Sequence, residues 1–192
     1  MVSLDGVMQA PGAPDEDTSG GFRYGGWTAP YTDEAFSAII NQELSEPFGM
    51  LLGRKTYEIF AAYWPKQTGP IADPFNKAKK YVVSGKGVAL TWPDSTLIND
   101  DVGAKIKALK AADGPALHVW GSTVLLQTLL KNDLMDELRL RIYPVTIGSG
   151  KRLFAEGTIP AAFKLNDSQA LPSGVILANY TRAGELTTGS VV

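Results

Sequence analysis

Two short stretches carry the residue types that hold an anion, Gly53-Arg54-Lys55-Thr56 and Gly121-Ser122-Thr123-Val124. Each follows an apolar run and opens a helical pattern. The first turn of a helix leaves backbone N–H groups without intrahelical partners and turns the positive end of the helix dipole outward. A phosphate suits such a corner. Glycine lets backbone approach closely, Arg54 can grip a phosphate with two hydrogen bonds, and Thr56 and Thr123 add hydroxyls. One such corner is ordinary turn chemistry, because every helix needs a start. Two in one α/β sheet point to a ligand lying beyond the carboxyl ends of parallel strands.

Other chemistries lack their residues. No G-x-G-x-x-G follows a strand and no G-x-x-x-x-G-K-[ST] occurs. His118 is the only histidine among 192 residues and cysteine is absent, which argues against a Ser-His-Asp or Cys-His mechanism and against a metal site. Between Leu117 and Val119, His118 reads as a core or edge residue. The net charge of -2, with acids and bases interspersed, suggests neither a nucleic-acid groove nor a membrane surface. No apolar run approaches the roughly 20 residues of a membrane span, and no secretory leader is recognisable. The missing cysteines fit a reducing compartment, so a cytoplasmic setting is expected.

The elements that must position the corners follow from periodicity. Met1–Met8 reads as a short strand turning at Asp5-Gly6. Residues 9–30 form a long Gly/Pro/Asp loop holding Phe22, Tyr24 and Trp27, either a functional lid or an insertion. Thr32-Asp33 caps a helix with Phe36, Ile39, Ile40 and Leu44 on one face. Strands are expected at 49–52, 80–84, 96–98 and 116–120, and helices at 54–63, from Asp100 or Asp101 onward, and at 123–131. Leu138, Leu140 and Ile142 alternate with Arg139, Arg141 and Tyr143 in a half-exposed strand. Strands at about 162–170 and 174–182 meet at Pro172-Ser173-Gly174 as a hairpin. This order predicts an α/β protein with a mostly parallel sheet and an antiparallel C-terminal hairpin edge. One domain over 1–184 is expected, followed by a flexible tail at 185–192.

Four stretches, "SLDGVM" (3–8), "LLGRKTYEIF" (51–60), "YVVS" (81–84) and "VWGSTVLLQTLLKNDLMDELRLRIYPVTIGSGKRLF" (119–154), fall in an order that resembles the dihydrofolate-reductase-like superfamily. The nearest branch is the C-terminal reductase domain of the bacterial riboflavin-biosynthesis deaminase/reductase (RibD C-terminal-like). The resemblance implies a single three-layer domain that uses NADPH and no metal. It implies that Gly53, Arg54 and Thr56 hold cofactor phosphates, and that Ser84, with Lys86, lies near the adenosine 2′-phosphate. It places the pyrophosphate on Gly121-Ser122-Thr123-Val124. It places Leu4, Asp5 and Gly6 at the nicotinamide pocket together with Trp27, under a lid formed by the following loop. Classical members carry a carboxylate on the helix after the lid, and Asp33 and Glu34 fall there; the alternative is that Asp33 caps the helix and Glu34 complements its dipole.

Two departures stand out. The superfamily often has Gly-Gly where Gly121-Ser122 stands here, and only Met1-Val2 precede "SLDG" where relatives carry several apolar residues. The function implied is an NADPH-dependent reductase acting on a pyrimidine- or pterin-like small molecule, similar to 5-amino-6-(5-phosphoribosylamino)uracil reductase. The alternative is a non-catalytic NADPH- or nucleotide-binding protein of the same fold. A second anion site for a phosphorylated substrate has Arg23, Lys151 and Arg152 as candidates. Asp136, Glu137, Arg139 and Arg141 serve either a homodimer interface or a solvated strand face.

Overall fold

The computed structural model describes residues 1–156 and 158–191. In chain order the elements are β1 (Val2–Ser3), α1 (Glu34–Glu43), β2 (Phe48–Gly53), α2 (Arg54–Tyr63), α3 (Ala72–Lys77), β3 (Lys79–Val83), β4 (Ser95–Ile98), α4 (Val102–Ala111), β5 (Ala116–Val119), α5 (Thr123–Lys131), β6 (Glu137–Tyr143), β7 (Ala162–Ala170) and β8 (Ile176–Gly184). They fall into two compact units, Asp33–Thr128 and Met1–Thr32 with Leu129–Val192.

The Asp33–Thr128 unit is built on a parallel sheet of order β4-β3-β2-β5. Its central strand, "FGMLLG", is buried along five of its six residues, as a strand covered on both faces must be. The register pairs Gly53 with Val83, Val83 with Ile98 and Leu51 with Val119, so the carboxyl ends of all four strands line one edge. The other unit holds a sheet of order β1-β6-β8-β7, in which β1 runs parallel to β6 and the remaining pairs are antiparallel. The chain is thus an α/β protein with parallel pairing through its middle and antiparallel C-terminal strands. The β7–β8 turn closes with the Leu171 N–H on Val175 O at 2.9 Å, around the expected Pro172-Ser173-Gly174.

Several local expectations change. Helix α3, for which no element was expected, begins two residues before Pro74, whose missing N–H costs nothing in a first turn. Asp101 sits at the N-cap of α4 in the left-handed region (φ 38°) without a side-chain cap bond, and Asp100 instead pairs with Lys105. Strand β6 does not simply alternate: Leu138, Arg141 and Tyr143 are buried while Arg139 is exposed and pairs with Glu137 at 3.1 Å. Arg141 therefore does not belong to a solvated stripe.

Lys80 is fully buried in β3, where lysine is rarely found unless its ammonium has partners. Its ammonium donates to Asn76 O at 2.7 Å and Pro93 O at 3.2 Å and lies 4.3 Å from the Trp92 ring centroid. Desolvation pushes its pKa down to about 8, opposed by the charge of Asp94.

Candidate functional site

The two glycine corners meet. Gly53 ends β2 and Gly121 follows β5, its hydrogen-bonded neighbour. The Gly53 N–H donates to Ser122 Oγ at 2.9 Å, and the Ser122 N–H donates to Thr56 Oγ1 at 3.0 Å. Ser122 Oγ itself donates to Trp120 O at 2.8 Å. These bonds clasp the start of α2 to the start of α5.

The fit is close. A Cβ at Gly121 would lie 3.3 Å from Thr56 Oγ1, and one at Gly53 would lie 3.5 Å from the Ser122 Cβ. Gly121 (φ 53°) and Ser122 (φ 57°) both occupy the left-handed region. Serine there is strained by about 1 kcal/mol relative to glycine, and its two hydroxyl bonds offset that strain. Ser122 thus acts as a latch while holding a left-handed backbone.

The groups turned outward at this edge suit an anion. Helix α2 opens on Gly53 with no side-chain cap, and Arg54 and Lys55 are exposed in its first turn. Val124, in the first turn of α5, is 80% exposed. Thr56 and Thr123 are half-buried, and the Thr56 hydroxyl is already an acceptor within the clasp. One strand away, Ser84 is buried just past β3, and its hydroxyl donates to Gly87 O at 2.8 Å. The bond closes a turn that leaves Lys86 exposed. Gly53, Arg54, Thr56, Ser84, Lys86, Gly121, Ser122, Thr123 and Val124 therefore share one edge of one sheet.

Leu4, Asp5, Gly6 and Trp27 belong to the other unit. Leu4 is 62% exposed. Asp5 is an anchor: its carboxylate accepts from Ser3 Oγ at 2.6 Å, from the Gly148 N–H at 2.7 Å and from the Ile147 N–H at 3.1 Å. These bonds, the serine hydroxyl first, hold its pKa at about 2. Gly6 takes φ 84°, as the tight turn from Ser3 requires. The Trp27 indole N–H donates to Gln9 O at 2.8 Å, and its ring stands edge-on to buried Tyr143 at 5.3 Å, as Tyr31 does at 5.9 Å.

Asp33 and Glu34 open α1. Asp33 Oδ1 accepts from the Phe36 N–H at 2.7 Å, the bond of an N-cap, and Glu34 is exposed. Of the candidates for a second anion site, Lys151 pairs with Asp17 at 2.5 Å and Arg152 with Asp5 at 3.6 Å, while Arg23 is exposed. His118 stacks on Phe48 with ring centroids 4.7 Å apart. Among the described residues no helix is long and apolar enough to cross a membrane.

Gln9, which no motif marked, is 4% exposed and bonded at both ends of its amide. Its partners lie eight, ten and 142 residues away, so no local signal announces it.

Parallel strands ending on helix tips, followed by an antiparallel C-terminal hairpin, place the chain in the α/β class with a dihydrofolate-reductase-like fold. The chain belongs to the RibD C-terminal domain family, which matches residues 1–177. It is 28% identical over 184 residues to the uncharacterized protein YyaP of Bacillus subtilis, covering 93% of this chain and 90% of that one. It is 29% identical over 134 residues to the uncharacterized protein YwjB of the same organism, covering 70% and 73%. A putative riboflavin biosynthesis protein from Shewanella sp. PV-4 shares the fold with a TM-score of 0.67 at 21% identity, with 95% of each chain covered. A pyrimidine reductase-like protein from Corynebacterium diphtheriae superposes with a TM-score of 0.63 at 14% identity over 96% of this chain and 90% of that one.

Proposed function

We propose that the chain is an NADPH-dependent reductase acting on a pyrimidine- or pterin-like small molecule, with chemistry like that of 5-amino-6-(5-phosphoribosylamino)uracil reductase. One observation carries the reading: the clasp between Gly53, Thr56 and Ser122 brings two helix N-termini to the same strand edge, beside exposed Arg54. Membership of the RibD C-terminal family supports it.

Bound at that edge, NADPH would supply the hydride. The chain's own contribution is grip and orientation. Arg54 and the first-turn N–H groups of α2 would hold the diphosphate with Thr123 and Val124. The Ser84 turn would present Lys86 to a 2′-phosphate. Gly121 lets the backbone approach, and Ser122 keeps the two tips in register. Leu4, Asp5, Gly6 and Trp27 would frame the nicotinamide pocket, Asp5 by fixing its own turn rather than by moving a proton.

A second reading, a nucleotide-binding protein without turnover, is favoured by the Asp33 carboxylate, which is committed to capping α1. A homodimer belongs to the first reading, and light scattering on the purified protein tests it. The cofactor test is a thermal-shift comparison of NADPH and NADH on wild type and Arg54→Ala. NADPH is expected to raise the melting temperature of wild type more than NADH does, and the shift should fall by at least half in the variant. Equal shifts for both cofactors would remove the 2′-phosphate assignment, and an unchanged shift in the variant would remove Arg54. Binding without oxidation of NADPH by pyrimidine or pterin acceptors favours the second reading.

A further inference from the structure

Residues 9–31 follow the turn at Asp5-Gly6 and carry Trp27. A segment that swings as a lid is held at its ends and has few contacts between them. This one is bonded at many points and buries Gln9, Ala10, Phe22 and Thr28. Phe22 is buried at 6% exposure against Val7 and Ala10, with Trp27 and Ile147 packed on the same cluster. The approach is so close that a Cβ at Gly150 would lie 2.8 Å from the Phe22 ring. A Cβ at Gly25 would lie 2.5 Å from Ala13 O, so the segment folds against itself there. The Gly26 N–H donates to Ala10 O at 2.9 Å, and Thr28 Oγ1 donates to Pro11 O at 2.7 Å. Glu16 Oε2 accepts from the Gly12 N–H at 2.6 Å and from the Ala13 N–H at 3.3 Å.

One side chain joins these pieces. Gln9 Nε2 donates to Asp17 O at 3.0 Å and to Ser19 O at 2.9 Å, and Gln9 Oε1 accepts from the Lys151 N–H at 3.0 Å. Its backbone carbonyl accepts the Trp27 indole N–H at 2.8 Å. Lys151 Nζ returns to Asp17 Oδ2 at 2.5 Å, closing a ring of contacts through Gln9, Asp17 and Lys151. Opening the segment would strand a buried amide and expose Phe22 together.

We propose that Gln9 is a positioning residue: it clamps residues 9–31 into a fixed wall that holds Trp27 in place before any ligand arrives, so the segment does not open as a lid. The role of Trp27 at a substrate pocket rests on the reductase reading above; the clamp itself does not.

Hydrogen exchange resolved at the Gly26 and Thr28 amides, on ligand-free protein, tests it. In wild type both amides are expected to be protected and to gain less than about twofold on adding NADPH. In Gln9→Leu, which keeps the bulk and removes both amide functions, they should exchange at least about tenfold faster while the β6 and β8 amides stay within about twofold. Gln9→Asn, which retracts the amide by one methylene, should give the same pattern more mildly should the leucine variant fold poorly. With an accepting substrate, KM should rise in both variants while the NADPH dissociation constant holds. Wild-type amides that exchange freely until NADPH is added would establish a lid and overturn the proposal. So would unchanged exchange in both variants, or loosening spread equally over β6 and β8. Absence of NADPH binding by wild type would remove the positioning role through failure of the reductase reading, and the exchange data would still decide the clamp.

Discussion

The clasp between the two helix tips makes a quantitative prediction at Ser122. This side chain is 8% exposed, and its hydroxyl serves two partners, the Gly53 N–H at 2.9 Å and Trp120 O at 2.8 Å. Each bond contributes about 1 kcal/mol net, and stranding the Gly53 donor adds about 1 kcal/mol more. Ser122→Ala keeps the left-handed backbone and loses both bonds, so it should cost about 2–3 kcal/mol, a fall of about 4–12 °C in melting temperature for a chain of this size. Ser122→Gly loses the same bonds but relieves the φ of 57°, recovering about 1 kcal/mol. The order of stability is therefore wild type, then Ser122→Gly, then Ser122→Ala. Scanning calorimetry of the three proteins reads it directly. A Ser122→Ala protein that melts within about 2 °C of wild type would refute the argument that the hydroxyl latches the corner. A glycine variant less stable than the alanine one would refute the argument from backbone strain.

Two further outcomes concern pH. Lys80, its pKa lowered to about 8 by burial, is charged in the unfolded chain up to the ordinary lysine range, so the unfolded state binds more protons above about pH 8. Stability should rise with pH through that window, and the urea midpoint of Lys80→Met, compared at about pH 7.5 and about pH 9.5, should lack this rise. An equal rise in both proteins would place its source elsewhere. Asp5, held at about 2 mainly by the Ser3 hydroxyl and the Gly148 N–H, contributes stability above the ordinary carboxylate range that is lost as pH falls toward 2. Wild type should lose more stability than Asp5→Asn between about pH 5 and about pH 3, and parallel acid titrations of the two would show that Asp5 does not anchor the 147–148 segment.

The parallel sheet was readable because "MLL" and "LHV" are short, mostly apolar runs with a glycine-led helix start just beyond them, and the hairpin because Pro-Ser-Gly separates two strand-like segments. The corners were readable as helix starts. Their contact with one another was not, because it joins positions 69 and 66 residues apart and depends on β2 and β5 being neighbours, which no local pattern states. Asp33 shows the opposite limit: one residue type serves equally as cap and as acid, and only the 2.7 Å bond to the Phe36 N–H displays the capping role. The burial of Lys80 was not legible, because sequence records the charge and not the two carbonyls and the indole that receive it. Arg141 misled for the same reason: the period-two rule assigns a face, and it does not count how many layers cover that face.

The span of the clasp also bears on how the protein is made. Residues 53 and 56 emerge long before residue 122, and the first helix tip stays unlatched until β5 has been laid beside β2 and the turn after it has formed. Closing so large a loop is entropically slow. A nascent or truncated chain ending before residue 122 therefore has the first helix tip without the serine that latches it, and the closed clasp marks completion of this unit rather than any of its parts.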